Sequence, residues 1–157
     1  MPKYYDTYDA LFKRMEEDIG EALMNVSNQL IEIWKELVQI NFYDRFEPQV
    51  YSRSYQSLDA ISLLTINKSA NGYEITMGYD ESKINTYEAT SNGYTYTAHE
   101  NPELQGGYLE SGFVMNNGVR REGAHALEEM LKYVNSRDFK ALFENECRKL
   151  GYGVTFK

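Results

Sequence analysis

Apolar residues fall at helical spacing from about Thr7 to Asn41. Phe12, Ile19, Val26, Ile33 and Ile40 recur every seven residues, and Leu23, Leu30 and Leu37 each stand four positions after a member of that series. Alternating steps of four and three keep both sets on one seam of an α-helix. At about 1.5 Å per residue such a helix runs roughly 50 Å, further than the body the other residues can build. Asp6 is placed to cap its start, and Asp9 suits the positive end of its dipole. Gly20 costs about 1 kcal/mol against alanine in a helix and marks a bend or a close contact. Two placements are open: a core helix laid across a sheet, or a helix whose seam, with Trp34, packs partly against a neighbouring subunit.

The period then changes from about 3.6 to 2. Ile61, Leu63, Leu64 and Ile66 form an apolar run, and Asn71-Gly72 is a strong hairpin signal. Tyr73, Ile75, Met77 and Tyr79 alternate with Glu74, Thr76 and Gly78, as a strand with one buried face does. Two more strands are predicted, over 85–89 and over Tyr94 to Ala98, around a turn at Ser91-Asn92-Gly93. The glycine- and asparagine-rich stretch 101–122 reads as a long loop with one short element at Tyr108 to Phe113.

Helical spacing returns near 123. Ala124, Leu127, Leu131 and Val134 share a stripe, and Ser136 can cap a second helix that buries Phe139, Leu142, Phe143, Cys147 and Leu150. Arg148, Lys149 and Gly151 suit its C-terminal end, and Val154 to Phe156 add a last strand. The expected architecture is α+β: one long helix (about 7–41) and two C-terminal helices (about 123–151) packed on a small antiparallel sheet (about 58–98). With no repeat or linker in the pattern, the 157 residues are expected to form one domain.

Between the long helix and the strands lies Phe42 to Ala60, in which five of nineteen residues are aromatic and Pro48 stops simple helix continuation. A surface linker does not use aromatics so freely. The segment reads as a packed corner or as a surface that meets another protein. Arg53, between Tyr51 and Tyr55, is suited to stack on aromatic faces and fork onto carboxylates. It serves either as a cross-brace within the chain or as a bridge across a subunit interface.

Charge and composition narrow the chemistry. A formal charge of −8 argues against gripping nucleic acid, though an acidic wall suits a conduit past which DNA slides. No apolar run approaches the roughly 20 residues that span a bilayer. The opening Met-Pro-Lys-Tyr-Tyr-Asp has no apolar core of a secretory signal, so the chain is expected to stay in the cytoplasm where it is made. Cys147 is the only cysteine and His99 and His125 the only histidines, which excludes an intrachain disulfide and a thiolate zinc cluster. His99-Glu100 invites a small acid–base site, but no nucleophile motif accompanies it. No enzyme activity, cofactor or metal is expected.

Tyr43, Phe46, Pro48, Tyr51, Arg53, Ser54 and Leu58 after a long helix resemble a family of small phage and prophage proteins. These are called minor capsid, neck or tail-completion proteins of tailed phages. Tyr96-Thr97-Ala98-His99-Glu100-Asn101-Pro102 is similar to that family's aromatic strand end with His-Glu-Asn. Tyr108-Leu109-Glu110 and the closing Leu150-Gly151-Tyr152-Gly153-Val154 follow in the family's order. Ser54 stands where the family commonly has Thr. The resemblance implies a non-catalytic head–tail connector that assembles as a homo-oligomeric ring and contacts neighbouring neck and tail proteins. DNA would pass without sequence-specific binding. Its interface or bracing residues would be Trp34, Tyr43, Phe46, Tyr51, Arg53, Tyr55, His99 and Glu100, and its place the virion. Two rivals remain at this point: a prophage-encoded module that sequesters a host protein, and a small enzyme using His99 and Glu100.

Overall fold

A computed structural model describes residues 7–45, 55–69, 72–91, 93–98, 101–114 and 118–156. The first helix, α1, runs Tyr8–Val38. The predicted cap, Asp6, lies outside the described residues; Thr7 caps the helix, its Oγ1 accepting from the Ala10 N–H at 3.2 Å. Only the middle and end of α1 are enclosed. Ala22, Val26 and Leu30 on one stripe and Ser27, Ile31, Trp34 and Val38 on another are all buried. The predicted seam is therefore only partly a core seam: Phe12, Ile19 and Ile40 remain 63%, 44% and 51% exposed. The physical reason is that α1 is covered from two sides, by the C-terminal helices and by the first hairpin. The burial thus follows a broad face rather than one narrow stripe.

At Val38 the helix widens into a π-turn, Gln39–Tyr43, closed by the Asp44 N–H donating to the Gln39 carbonyl at 2.9 Å. The wider turn aims Phe42 and Tyr43 inward together and leaves Ile40 outside. After a stretch beyond the described residues, the short α2, Gln56–Asp59, leads into the strands.

Strand β1, Ile61–Ser69, pairs antiparallel with β2, Gly72–Tyr79, with Ile61 opposite Tyr79 and an irregularity between Leu63 and Thr65. The predicted hairpin at Asn71-Gly72 is thus present, although Asn71 itself is not among the described residues. Strand β3, Tyr87–Ser91, pairs with β4, Tyr94–Ala98. Instead of one small sheet, the described residues form three separate two-stranded antiparallel sheets, the third made by β5, Phe113–Val114, and β6, Arg120–Arg121.

The stretch expected to be a loop with one short element at Tyr108 to Phe113 holds a helix, α3, Gln105–Ser111, which overlaps that element and begins before it. Two adjacent glycines argue against helix on propensity alone. Here tertiary contact overrides that preference. Leu109 is buried, and Gly106 lies so close to the Tyr79 ring that a Cβ there would sit 2.5 Å from Cδ2.

Helices α4, Ala126–Val134, and α5, Arg137–Lys149, close the fold. Ser136 caps α5 as expected, its Oγ accepting from the Asp138 and Phe139 N–H groups. In α4 the buried positions are Ala126 and Met130, whereas the expected core residues Leu127 and Leu131 are 44% and 56% exposed. The last residues, Val154 to Phe156, are not a strand. The molecule is α+β, as its sequence pattern predicts.

Candidate functional site

Two polar constructions stand out, and both begin at α1. The first centres on Glu110 of α3. Its Oε1 accepts from Trp34 Nε1 at 3.2 Å and from the Tyr79 hydroxyl at 3.3 Å. Its Oε2 accepts from the Leu127 N–H at 2.9 Å, so one carboxylate also serves the first turn of α4. The Trp34 and Tyr79 rings meet edge to face at 5.4 Å. Burial, and then the Glu110 charge beside it, pushes the Tyr79 hydroxyl well above its ordinary 10.0. A phenol held neutral this firmly is a hydrogen-bond donor, not a proton shuttle at physiological pH. Every polar atom of this hub has a partner inside the fold. It ties α1, β2, α3 and α4 together and leaves no group to act on a substrate.

The second construction lies between α1 and α5. Asp18 is buried; its Oδ2 accepts from the Tyr152 hydroxyl at 2.7 Å. Arg14 Nη2 lies 2.5 Å from Asp18 Oδ1, as a charge pair without hydrogen-bond alignment at that oxygen. Within α5 itself, Glu146 accepts from Gln29 Nε2 of α1 at 3.0 Å and from Lys149 Nζ at 2.6 Å. The Lys149 ammonium, with Gln29 as a second donor, holds the Glu146 carboxyl below its ordinary 4.5. Beside these groups is a cavity of about 180 Å³ lined by Met15, Asp18, Ile19, Cys147, Tyr152, Gly153 and Val154. Burial raises the Cys147 thiol pKa above its ordinary 9.0, which makes it a packing group and not a nucleophile.

The residues singled out from sequence divide clearly. Trp34 is in the core, within the Glu110 hub. Tyr43 is buried too, its ring 5.4 Å from Phe42 and 5.0 Å from Tyr55. Tyr55 is 42% exposed and adopts a left-handed backbone at φ 55°. Phe46, Tyr51, Arg53, His99 and Glu100 lie outside the described residues. Among the described residues, the structure brings Arg121 to the aromatic corner. Its guanidinium lies 3.8 Å from the Phe42 ring centroid, and its Nη2 donates to the Phe42 carbonyl at 3.3 Å. A cation there also suits the carbonyl end of α1. The neighbouring pair Arg120-Arg121 was the only sequence signal, and nothing in it names Phe42 as the target.

Among the described residues, no group of three or more His, Cys, Asp or Glu side chains is placed to hold a metal ion. No described helix is long and apolar enough to cross a membrane.

These features define an α+β protein whose polar convergence braces its own elements. Residues 7–144 of the 157 match the model of the YomN family, and the chain belongs to that family. The family is encoded by Bacillus phages and prophages, which suggests a prophage protein. No curated protein and no solved structure matches the chain.

Proposed function

We propose that this chain is a structural protein of the tailed-phage neck or tail end, assembling as a ring in head–tail joining or tail completion. Membership of a phage-encoded family is the observation that carries the proposal. The surface supports it as well. Large apolar side chains stay on the outside, including Tyr8 at 81%, Phe12 at 63% and Tyr94 at 78% exposure, and exposed apolar groups grouped in patches mark contact surfaces. In α1, Tyr8, Phe12 and Ile19 follow one another at helical spacing, so one stripe stands open for a neighbour. The ring's contacts would be with its own copies and with adjoining neck and tail proteins. The acidic charge lets DNA pass without being held. On this proposal the chain is made in the host cytoplasm, joins the virion, and carries out no catalysis.

Light scattering after size exclusion, followed by negative-stain images of mixtures with portal or tail-tube protein, tests the assignment. Rings that join a neck or tail particle support it. A chain that remains monomeric and joins no such particle overturns it.

A further inference from the structure

Past α5 the chain runs from Gly151 to Phe156 against α1 and α5 without forming a helix or strand. Gly151 makes the turn at φ 95°, in the left-handed region that glycine favours. The segment is fastened at both ends. Near its start the Tyr152 hydroxyl donates to Asp18 Oδ2 of α1 at 2.7 Å. At its far end the Phe156 N–H donates to Glu144 Oε1 of α5 at 3.1 Å, and its ring lies 6.0 Å from that of Phe143. Between the fastenings Gly153 and Thr155 are exposed, and a side chain at Gly153 would meet open space.

What the segment covers is more enclosed than the segment itself. The cavity of about 180 Å³ is lined by Tyr152, Gly153 and Val154 together with Met15, Asp18, Ile19 and Cys147. Cys147 is only 2% exposed, yet none of residues 151–156 is buried, and Phe156 is 42% exposed. A stretch with little buried apolar surface and no backbone ladder belongs to the low-stability end of a structure, where parts open without the whole. The bonds that finish α5 lie before it: Leu150 and Gly151 N–H groups donate to the Cys147 and Arg148 carbonyls at 3.1 and 3.0 Å. Opening beyond Gly151 therefore leaves the helix wound.

The stronger fastening is the one on Asp18. A hydrogen bond to a buried, charged carboxylate outweighs one made at an exposed position, and Asp18 is 4% exposed. Releasing it does not strand the charge, because Arg14 Nη2 lies 2.5 Å from Asp18 Oδ1. The glycines flanking Tyr152 supply the freedom to move: its side chain can leave Asp18 while its N–H stays on the Cys147 carbonyl at 3.0 Å.

We infer that residues 151–156 form a latch over the cavity, caught by Tyr152 on Asp18, that opens while the rest of the fold stays intact. Opening uncovers Cys147 and the Met15 side of α1, beside Ile19 and Phe12, which are exposed already. The latch is a property of the single chain and holds whether or not copies assemble into a ring.

Cys147 is the only cysteine, so its alkylation by iodoacetamide in the full chain, followed by mass spectrometry, reads the opening. A latch that opens alone exposes little surface, so the rate should be nearly independent of urea below the unfolding transition. Tyr152→Phe should raise the rate about tenfold or more, with unchanged circular dichroism. Gly123→Ala, which forces a Cβ against the α3 backbone, should lower the urea midpoint and leave the rate as it is. A rate that climbs with urea from the lowest concentrations, or that rises in Gly123→Ala as stability falls, means that only global unfolding reaches Cys147 and overturns the latch. A rate unchanged by Tyr152→Phe overturns it equally, as does a thiol that never reacts in the folded chain.

Discussion

Glu110 ties four elements together through one carboxylate. It takes hydrogen bonds from a tryptophan, a tyrosine and the start of a helix. An unpaired buried donor costs about 1–3 kcal/mol, so Glu110→Ala should lower stability by roughly 3 kcal/mol in urea titration. Glu110→Gln, which keeps an acceptor, should cost clearly less. The Tyr79 hydroxyl makes the same hub sensitive to alkali. Its pKa is higher in the folded chain than unfolded, so the stability it contributes is complete below about pH 10 and is lost as pH rises above that. Tyr79→Phe should flatten that alkaline loss, measured as the urea midpoint against pH. Glu146 has the opposite sign. Its folded pKa is depressed, so its contribution is present above about pH 4.5 and disappears as pH falls below it. An acid titration of Glu146→Gln that matched the native curve would contradict this. None of these pairings was visible in sequence, since Trp34 and Glu110 stand 76 positions apart and Arg121 and Phe42 stand 79 apart. Helical and strand periods say which side of an element a residue occupies, not which distant group it meets.

At the scale of elements, two glycines separate local preference from tertiary demand. Gly123 runs against the backbone of α3: a Cβ there would lie 2.1 Å from the Glu110 carbonyl oxygen. That oxygen also accepts from the His125 N–H at 3.2 Å, so neither segment can move away without loosening the hub. Gly123→Ala should cost about 3 kcal/mol or more, read as a fall in the thermal midpoint. At Gly20 the opposing atoms are the far end of the Tyr73 side chain, the nearest at 2.7 Å. That tip can swing aside, and alanine gains about 1 kcal/mol in helix propensity. Gly20→Ala should therefore change stability by less than about 1 kcal/mol. At Gly20 the sequence offered a bend or a close contact, because a mid-helix glycine needs a reason, and the structure shows the close contact. At Gln105–Ser111 only a short element over Tyr108 to Phe113 was legible, and its helical form and earlier start were not, since the Tyr79 ring against Gly106 and the groups that bury Leu109 lie in other parts of the fold. The Ser136 cap and the buried Cys147 face of α5 were legible, being local in sequence.

For the whole molecule, the charge of −8 governs how copies meet. Self-association of copies that share this charge should strengthen as salt screens the repulsion between subunits. Light scattering from about 0.05 M to about 0.5 M NaCl should therefore show the oligomer fraction rising; a fall would point to ion pairs across the interface instead. The sequence by itself determined the α+β class, the long helix, the hairpins and the cap of the last helix. Each of these follows from hydrophobic period, turn residues or side chains within a few positions. Only the tertiary structure decided that the strands divide into three separate pairs, that Trp34 and Tyr43 turn inward, and that Leu127 and Leu131 stay outside. The physical reason is common to all three. Period leaves a residue's angle on its element uncertain by about one position, and which neighbour covers that angle is settled only when distant segments pack together.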